Sequence, residues 1–135
     1  MQNTNANEER SDRQLQASAG LKLFFSVADL WQLSTEEQMA LLGNMKKSRF
    51  FDLKKNPGAA NLSDDELDRL SFIANIHSSL AILFNDENQR RFLKTPQDEN
   101  GDLPGAAPID IMLSGIRGLL DMNDYFSSLR GGAFS

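Results

Sequence analysis

The segment 64–84 restricts the possible folds of this chain most, because its apolar residues lie along two sides of a helix. One side carries Leu67, Leu70, Ile73, Ala74, Leu80 and Phe84, and the adjacent side carries Phe72, Ile76 and Leu83. A helix that is apolar on two sides packs in two directions. Ser63 and Glu66 have the spacing of a capping box, which marks where a helix starts. We therefore predict a long helix over 64–84 that connects an N-terminal half to a C-terminal half.

The other apolar residues also recur at helical spacing, and no segment shows the alternation of a strand. Phe24, Ala28 and Trp31 predict a buried helix that begins near Leu15. Further helices are predicted over 35–42, 45–55, 86–93 and 109–114, followed by a last helix that Gly131 and Gly132 end. The predicted fold class is all-α, with a helical N-terminal half and a small helical C-terminal half.

The composition argues against an enzyme. Cysteine is absent and His77 is the single histidine, which excludes thiolate metal sites and disfavours a zinc enzyme with several imidazoles. The position of His77 on an apolar stripe indicates a core-edge histidine with a hydrogen-bonded ring nitrogen. The phosphate-binding patterns GxGxxG and GxxxxGK[ST] are also absent. We expect no catalytic residue, no metal and no cofactor.

The first fourteen residues are polar and lack the apolar core of a signal peptide. We expect residues 1–14 to form a disordered arm, because they show no apolar periodicity. No run in the sequence approaches the roughly 18 apolar residues of a membrane span. The expected protein is soluble and cytoplasmic and has no membrane partner.

The charge of the chain is distributed unevenly. The net charge is −5, but residues 46–55 contain five basic residues and one acidic residue, a local charge of +4, so the rest of the chain carries −9. Charges more than about 8 Å apart on a surface are largely screened at physiological salt. A basic face can therefore meet phosphate while the acidic body meets another partner.

The basic window lies where a helix-turn-helix would place its second helix. A capping box at Ser34 starts one short helix, Gly43 and Asn44 form a turn, and the basic helix follows with Phe50, Phe51 and Leu53 expected to point inward. In this motif the first residues of the second helix face the base edges. The predicted groove contacts are Lys46, Lys47, Ser48 and Arg49, and the predicted contacts to the DNA backbone are Lys54 and Lys55. By charge alone, a solvated basic face on an ordinary helix is the alternative.

Several short motifs, in this order, resemble the Xre/MbcA/ParS-type antitoxins from about residue 20 onward. The Xre-like helix-turn-helix of that family is similar to FFSVADLWQLSTEEQMALLGN (24–44) and KSRFFDLKK (47–55). Its toxin-binding half is similar to LSDDELDRLSFIANIHSSLAILFND (62–86), TPQ (95–97), GAAPIDIML (105–113) and LRGG (129–132). Each motif alone is weak, but together they cover more than 100 residues.

The resemblance implies a DNA-binding region over 15–61 and a toxin-binding domain over 62–135. The second would contain the long helix 64–84, a Pro/Gly loop over 96–108, and a C-terminal helix and tail. Members of this family neutralise a RES-domain toxin that consumes NAD and repress the shared operon. The implied function is that of a type II antitoxin, whose partners are a RES-domain toxin and operator DNA. The implied assembly is a homodimer, a heterotetramer or a larger complex with the toxin.

The end of the chain is the expected toxin contact. Arg and Phe are residue types suited to interface hot spots, and two glycines allow a close backbone approach. The family carries a C-terminal segment that reaches toward the toxin's active-site cleft. The predicted toxin-binding residues are Pro96, Arg117, Tyr125, Arg130, Gly131, Gly132 and Phe134. From composition alone, a frayed terminus is the alternative.

A stand-alone helix-turn-helix transcription regulator or adaptor without a toxin is the alternative function. The basic helix serves both functions equally well. The C-terminal half discriminates between them, since a regulator without a protein partner has little use for a long Pro/Gly loop and an exposed RGGAF tail.

Overall fold

The computed structural model describes the backbone of residues 2–132 and the side chains of residues 8, 9 and 11–131. Within residues 2–132 the chain is helical and contains no strand, so the all-α prediction is confirmed. The helices are α1 (Gln2–Leu30), α2 (Thr35–Leu41), α3 (Lys47–Lys55), α4 (Asp64–Leu83), α5 (Asp86–Lys94), α6 (Pro108–Leu113) and α7 (Ile116–Gly132), and a 3₁₀ turn spans Pro57–Ala59.

Helix α4 is central to the packing. It contacts α1 in the N-terminal half and α7 in the C-terminal half. Its residues Ile73, Ile76 and Leu80 are at most 1% exposed and belong to one hydrophobic core that also includes Leu21 of α1 and Phe126 of α7. Helix α4 therefore packs in two directions as predicted, and both halves share one core.

Helix α1 begins much earlier than the sequence pattern indicates. The predicted disordered arm over 1–14 is wrong for residues 2–14, which are helical, and so is the predicted start near Leu15; Met1 lies outside the described residues. Arg13 donates to the Leu62 carbonyl oxygen at 3.0 Å and to the Asp64 carboxylate at 2.7 Å. Apolar periodicity does not detect this segment because its described side chains are polar. Two of them, Arg13 and Gln14, hydrogen-bond residues far along the chain.

The helix starts and the first turn follow their sequence signals. Ser34 with Glu37, and Ser63 with Glu66, form complete capping boxes in which each side chain bonds the other residue's backbone N–H. Gly43 has a φ of 91° and Asn44 a φ of 58°. Glycine and asparagine adopt this left-handed region most readily, which explains why α2 ends here.

The end of α1 is joined to α5 by polar contacts around a buried tryptophan. Trp31 is 0% exposed, and its indole N–H donates to Gln89 Oε1 at 3.3 Å. Arg90 donates to the Leu30 carbonyl oxygen at 2.9 Å. His77 packs edge-on against Trp31, but its Nδ1 is buried without a hydrogen-bond partner among the described residues. The prediction of a hydrogen-bonded ring nitrogen is therefore wrong at Nδ1.

The last helix, α7, runs to Gly132 and contains Gly131. Residues 133–135, which follow the two glycines predicted to end the helix, lie outside the described residues. Another glycine of α7, Gly118, is buried against α6. A Cβ atom at Gly118 would collide with the carbonyl oxygen of Ile111 and with the Ser114 hydroxyl.

We expect Gly118→Ala to destabilise the protein by about 2–3 kcal/mol, because α6 would have to move away from α7. Helix propensity alone predicts the opposite sign, a gain of about 1 kcal/mol. Gly131→Ala is the matched control on the same helix, since nothing lies within 4 Å of a Cβ built there. Chemical denaturation of both variants measures the difference. Equal stability of the two variants would mean that α6 and α7 are not in close backbone contact.

Candidate nucleic-acid interface

Helix α3 is held by one side and exposes the other. Phe50 and Leu53 are 0% and 7% exposed, and the helix packs on α1 and on the 3₁₀ turn. The turn before α3 is fixed by buried Met45, whose N–H donates to the Met39 carbonyl oxygen at 3.0 Å. The order of α2, a tight turn and α3 is the order that a helix-turn-helix requires.

The predicted DNA-binding lysines are all exposed. Lys46 precedes the first turn of α3, Lys47 begins the helix, and Lys54 and Lys55 lie in its last turn. At 1.5 Å per residue, Lys47 and Lys55 are about 12 Å apart along the helix axis. Ser48 is exposed in the first turn. The structure therefore places three ammonium groups and one hydroxyl group on a single short helix, and a fourth ammonium group at its N-cap.

Arg49 differs from these lysines because its guanidinium turns back onto the protein. It contacts the Glu66 carboxylate at 2.7 Å and donates to the Asn61 carbonyl oxygen at 3.1 Å. Burial alone would raise the pKa of Glu66, but the hydrogen bonds from Arg49 and from Ser63, together with the Arg49 charge, lower it below the ordinary value. Arg49 thus connects α3 to the start of α4.

This ion pair predicts a pH dependence of stability. Because the folded-state pKa of Glu66 lies below its ordinary value of 4.5, the stabilisation is present above that pH and is lost as the pH falls through the folded-state pKa. Glu66→Gln keeps a residue type that completes a capping box but removes the charge. We expect this variant to lose less stability than the wild type between neutral and acid pH. Asp68→Asn, an exposed site on α4, is the control, and an identical pH profile for all three proteins would contradict the assignment.

Phe51 is a surface residue, so the prediction that it points inward is wrong. Its exposed fraction is 43%. At 100° per residue, Phe51 lies about 100° around the helix from Phe50 and about 160° from Leu53. A helix of nine residues that packs by one side buries only a narrow stripe. The inward prediction relied on the apolar character of Phe51, whereas the helical step directs this side chain toward solvent.

The predicted toxin-binding residues within 2–132 lie in two places, at Pro96 just after α5 and along α7. Pro96 is exposed just after α5 and lines an open groove of about 350 Å³ whose wall includes Phe84 and Phe92. These two rings stack at 4.9 Å between centroids, and Phe92 contacts Phe126 of α7 at 6.0 Å. Tyr125 packs edge-on against Phe126 at 5.5 Å. One aromatic cluster thus connects the groove at Pro96 with the side of α7 that carries Tyr125.

Arg117, Tyr125 and Arg130 do not share one face of α7. Arg117 is exposed and pairs with Asp121 at 3.3 Å. Tyr125 is half-buried, and its pKa is raised by burial and by the negative charge of Asp102. At 100° per residue, Tyr125 lies about 80° from Arg117, but Arg130 lies about 140° from Tyr125. Phe134, the predicted apolar anchor, lies outside the described residues.

The Pro/Gly loop between α5 and α6 is closed by its own backbone. Gln97 N–H donates to the Ala106 carbonyl oxygen at 3.0 Å, and Gly105 N–H donates to the Gln97 carbonyl oxygen at 3.1 Å. Pro108 then begins α6. Within residues 2–132, no helix combines the length and apolar content needed to cross a membrane. In the same part of the chain, no three His, Asp or Glu side chains gather as a group that could hold a metal ion.

Comparison with known proteins agrees with the helix-turn-helix geometry. Residues 11–75, from α1 into α4, match the family described as the antitoxin Xre-like helix-turn-helix domain. The chain is also similar to the uncharacterized protein y4oB of Sinorhizobium fredii, with 37% identity over 116 residues. This similarity covers 84% of the chain and 86% of the relative.

Proposed function

Since the chain belongs to one family with y4oB of Sinorhizobium fredii and carries an antitoxin Xre-like helix-turn-helix domain over residues 11–75, we propose that it is the antitoxin of a type II toxin–antitoxin system. The match over residues 11–75 is the observation that carries this proposal, because this type of domain belongs to antitoxins and DNA-binding regulators. In this proposal the protein acts in the cytoplasm, where both the operon and the toxin are found.

The DNA-binding part of the proposal assigns repression of the operon to α3. Its support is the exposed set of Lys46, Lys47, Lys54 and Lys55 on a helix that follows a tight turn. Lysine contacts to phosphate supply affinity that does not depend on sequence. A helix-turn-helix usually binds as two copies about one DNA turn apart. A homodimer, or two copies held by a toxin dimer, would supply the second helix.

The inhibitory part of the proposal assigns neutralisation of a RES-domain, NAD-consuming toxin to the C-terminal half. Its support is the resemblance of residues 62–132 to the toxin-binding half of Xre/MbcA/ParS-type antitoxins. A cleft that binds NAD accommodates an anionic pyrophosphate, so basic groups are expected around it. The part of this chain outside residues 46–55 carries −9, and such acidic surface complements basic groups in a partner.

Truncation after Leu129 tests the inhibitory role of the chain end. The shortened chain lacks Arg130. In the proposal, Arg130 either pairs with carboxylates at the rim of the toxin's NAD-binding cleft or makes the contacts that a group bound in that cleft would make. The shortened chain keeps Phe126, which is 0% exposed, and the rest of the shared core. We expect it to retain its helical content and its affinity for DNA, but to lose protection of growing cells that express the neighbouring toxin gene by a large factor.

The same experiment separates the alternatives. Full protection by the truncated chain would move the inhibitory surface to the groove at Pro96 or to α4. If the neighbouring gene product neither arrests growth nor copurifies with the full chain, while operator DNA still binds, the protein is a stand-alone regulator and the toxin part of the proposal is wrong.

A further inference from the structure

Phe51 is held in a defined orientation although it is exposed. Its ring packs edge-on against the buried ring of Phe50, with 5.2 Å between centroids and an interplanar angle of 82°. Phe51 therefore packs on a buried ring with one side while 43% of its surface stays exposed. Phe51 is the one large apolar side chain of α3 that is exposed.

The surroundings of Phe51 on α3 are basic. Residues three and four positions away on a helix are its neighbours, and for Phe51 these are Lys47, Ser48, Lys54 and Lys55, all exposed. Burial of this ring in an apolar protein interface would also remove the water around three ammonium groups, which is costly without opposite charges. A partner surface that has an apolar group between phosphates would cover the ring and also supply negative charges for the ammonium groups.

The major groove of DNA is such a surface. Thymine presents a C5-methyl group there, and phenylalanine is among the side chains that contact it. We propose that Phe51 reads thymine methyl groups in the operator, while the lysines around it contact the flanking phosphates. This inference rests on the proposed DNA-binding function and extends it by naming a residue that determines sequence preference.

The contacts of Arg49 within the protein support the assignment of base contacts to Phe51. Arginine commonly reads guanine through two parallel hydrogen bonds, but the Arg49 guanidinium already contacts Glu66 and the Asn61 carbonyl oxygen. Phe51 is then the large apolar side chain that α3 offers to a base edge, beside the exposed Ser48 and Asp52. We expect thymine positions, more than guanine positions, to determine which duplexes this helix selects.

Replacement of thymine by deoxyuridine tests the inference, because deoxyuridine lacks only the methyl group. The probe is the duplex that the full-length protein selects from a random-sequence pool, prepared once with thymine and once with deoxyuridine. The wild type should bind the thymine duplex more tightly, by about fourfold for each methyl group contacted, which is the factor expected for burial of one methyl group. Phe51→Ala should bind the thymine duplex more weakly and show almost equal affinity for both duplexes.

Lys47→Ala is the matched control, four residues away on the same helix. It should weaken binding to both duplexes, lower the salt slope by about 0.9 for the lost phosphate contact, and keep the wild-type preference for thymine. A wild type without preference, or a Phe51→Ala variant that retains it, overturns the inference while DNA binding stands. A Phe51→Ala variant that changes oligomeric state but keeps the preference also overturns it and assigns Phe51 to contact with a second copy. If no duplex is selected at all, both the inference and the DNA-binding part of the proposed function fail.

Discussion

Replacement of Leu80 by aspartate is expected to unfold both halves of the protein together. Leu80 is 0% exposed on α4, in the core that both halves share. Burial of an unpaired carboxylate costs several kcal/mol, and single domains are stable by only about 5–15 kcal/mol. Ile82→Asp is the control on the same helix, because Ile82 is 55% exposed. We expect that variant to lose about 1 kcal/mol or less, which includes the unfavourable position of a carboxylate in the last turn of α4.

The sequence provides one local probe in each half for this experiment. Trp31, the single tryptophan, lies just after α1, and Tyr125, the single tyrosine, lies on α7. Denaturation of the wild type should give the same midpoint by tryptophan fluorescence, tyrosine absorbance and helical circular dichroism. In Leu80→Asp all three signals should be lost together. If one half remains folded while the other unfolds, α4 does not connect the halves through a shared core.

Removal of three lysines from α3 is expected to cause the largest loss of DNA affinity. In the variant Lys46→Ala, Lys47→Ala and Lys55→Ala, three exposed cations are lost while Arg49 keeps its contact with Glu66. We expect operator affinity to fall by about a hundredfold or more at physiological salt. The slope of log affinity against log salt should fall by about 2.7 for each bound protomer, since each phosphate contact contributes about 0.9.

The control for this variant removes equal charge elsewhere, at Lys22, Arg91 and Lys94, all exposed and outside α3. Its affinity should remain close to that of the wild type. Similar affinity loss in the two triple variants would mean that total charge, and not the position of α3, determines binding. Unchanged affinity in the α3 variant would leave its basic face as a solvated surface.

The signals that predicted the fold are local ones. Capping boxes at Ser34 and Ser63 involve residues three positions apart, and the turn at Gly43 depends on one residue's backbone freedom. The two-sided packing of α4 follows from apolar periodicity along one segment. The helix over residues 2–14 has no such local signal. Its residue Arg13 bonds partners about 50 residues away along the chain.

The candidate site was less predictable, because it depends on tertiary contacts. Residue type and window charge predicted Arg49 as a DNA contact equivalent to the neighbouring lysines. Its pairing with Glu66, 17 residues further along, becomes visible only when α3 and the start of α4 are placed together. The inward prediction for Phe51 rested on hydrophobicity, although the 100° step of the helix already separates Phe51 from Phe50 and Leu53. The same geometry gives the direction of Arg130 relative to Tyr125, but only if the helix is known to continue past Leu129.

The most direct test of the antitoxin function is the NAD content of cells that express the neighbouring toxin gene, measured with and without this chain. We expect NAD to fall and growth to stop with the toxin alone, and NAD to stay near its normal concentration when the full-length chain is expressed in equal amount. An equal fall in NAD with and without the chain, or no fall with the toxin alone, would contradict the proposal that this protein neutralises a NAD-consuming toxin.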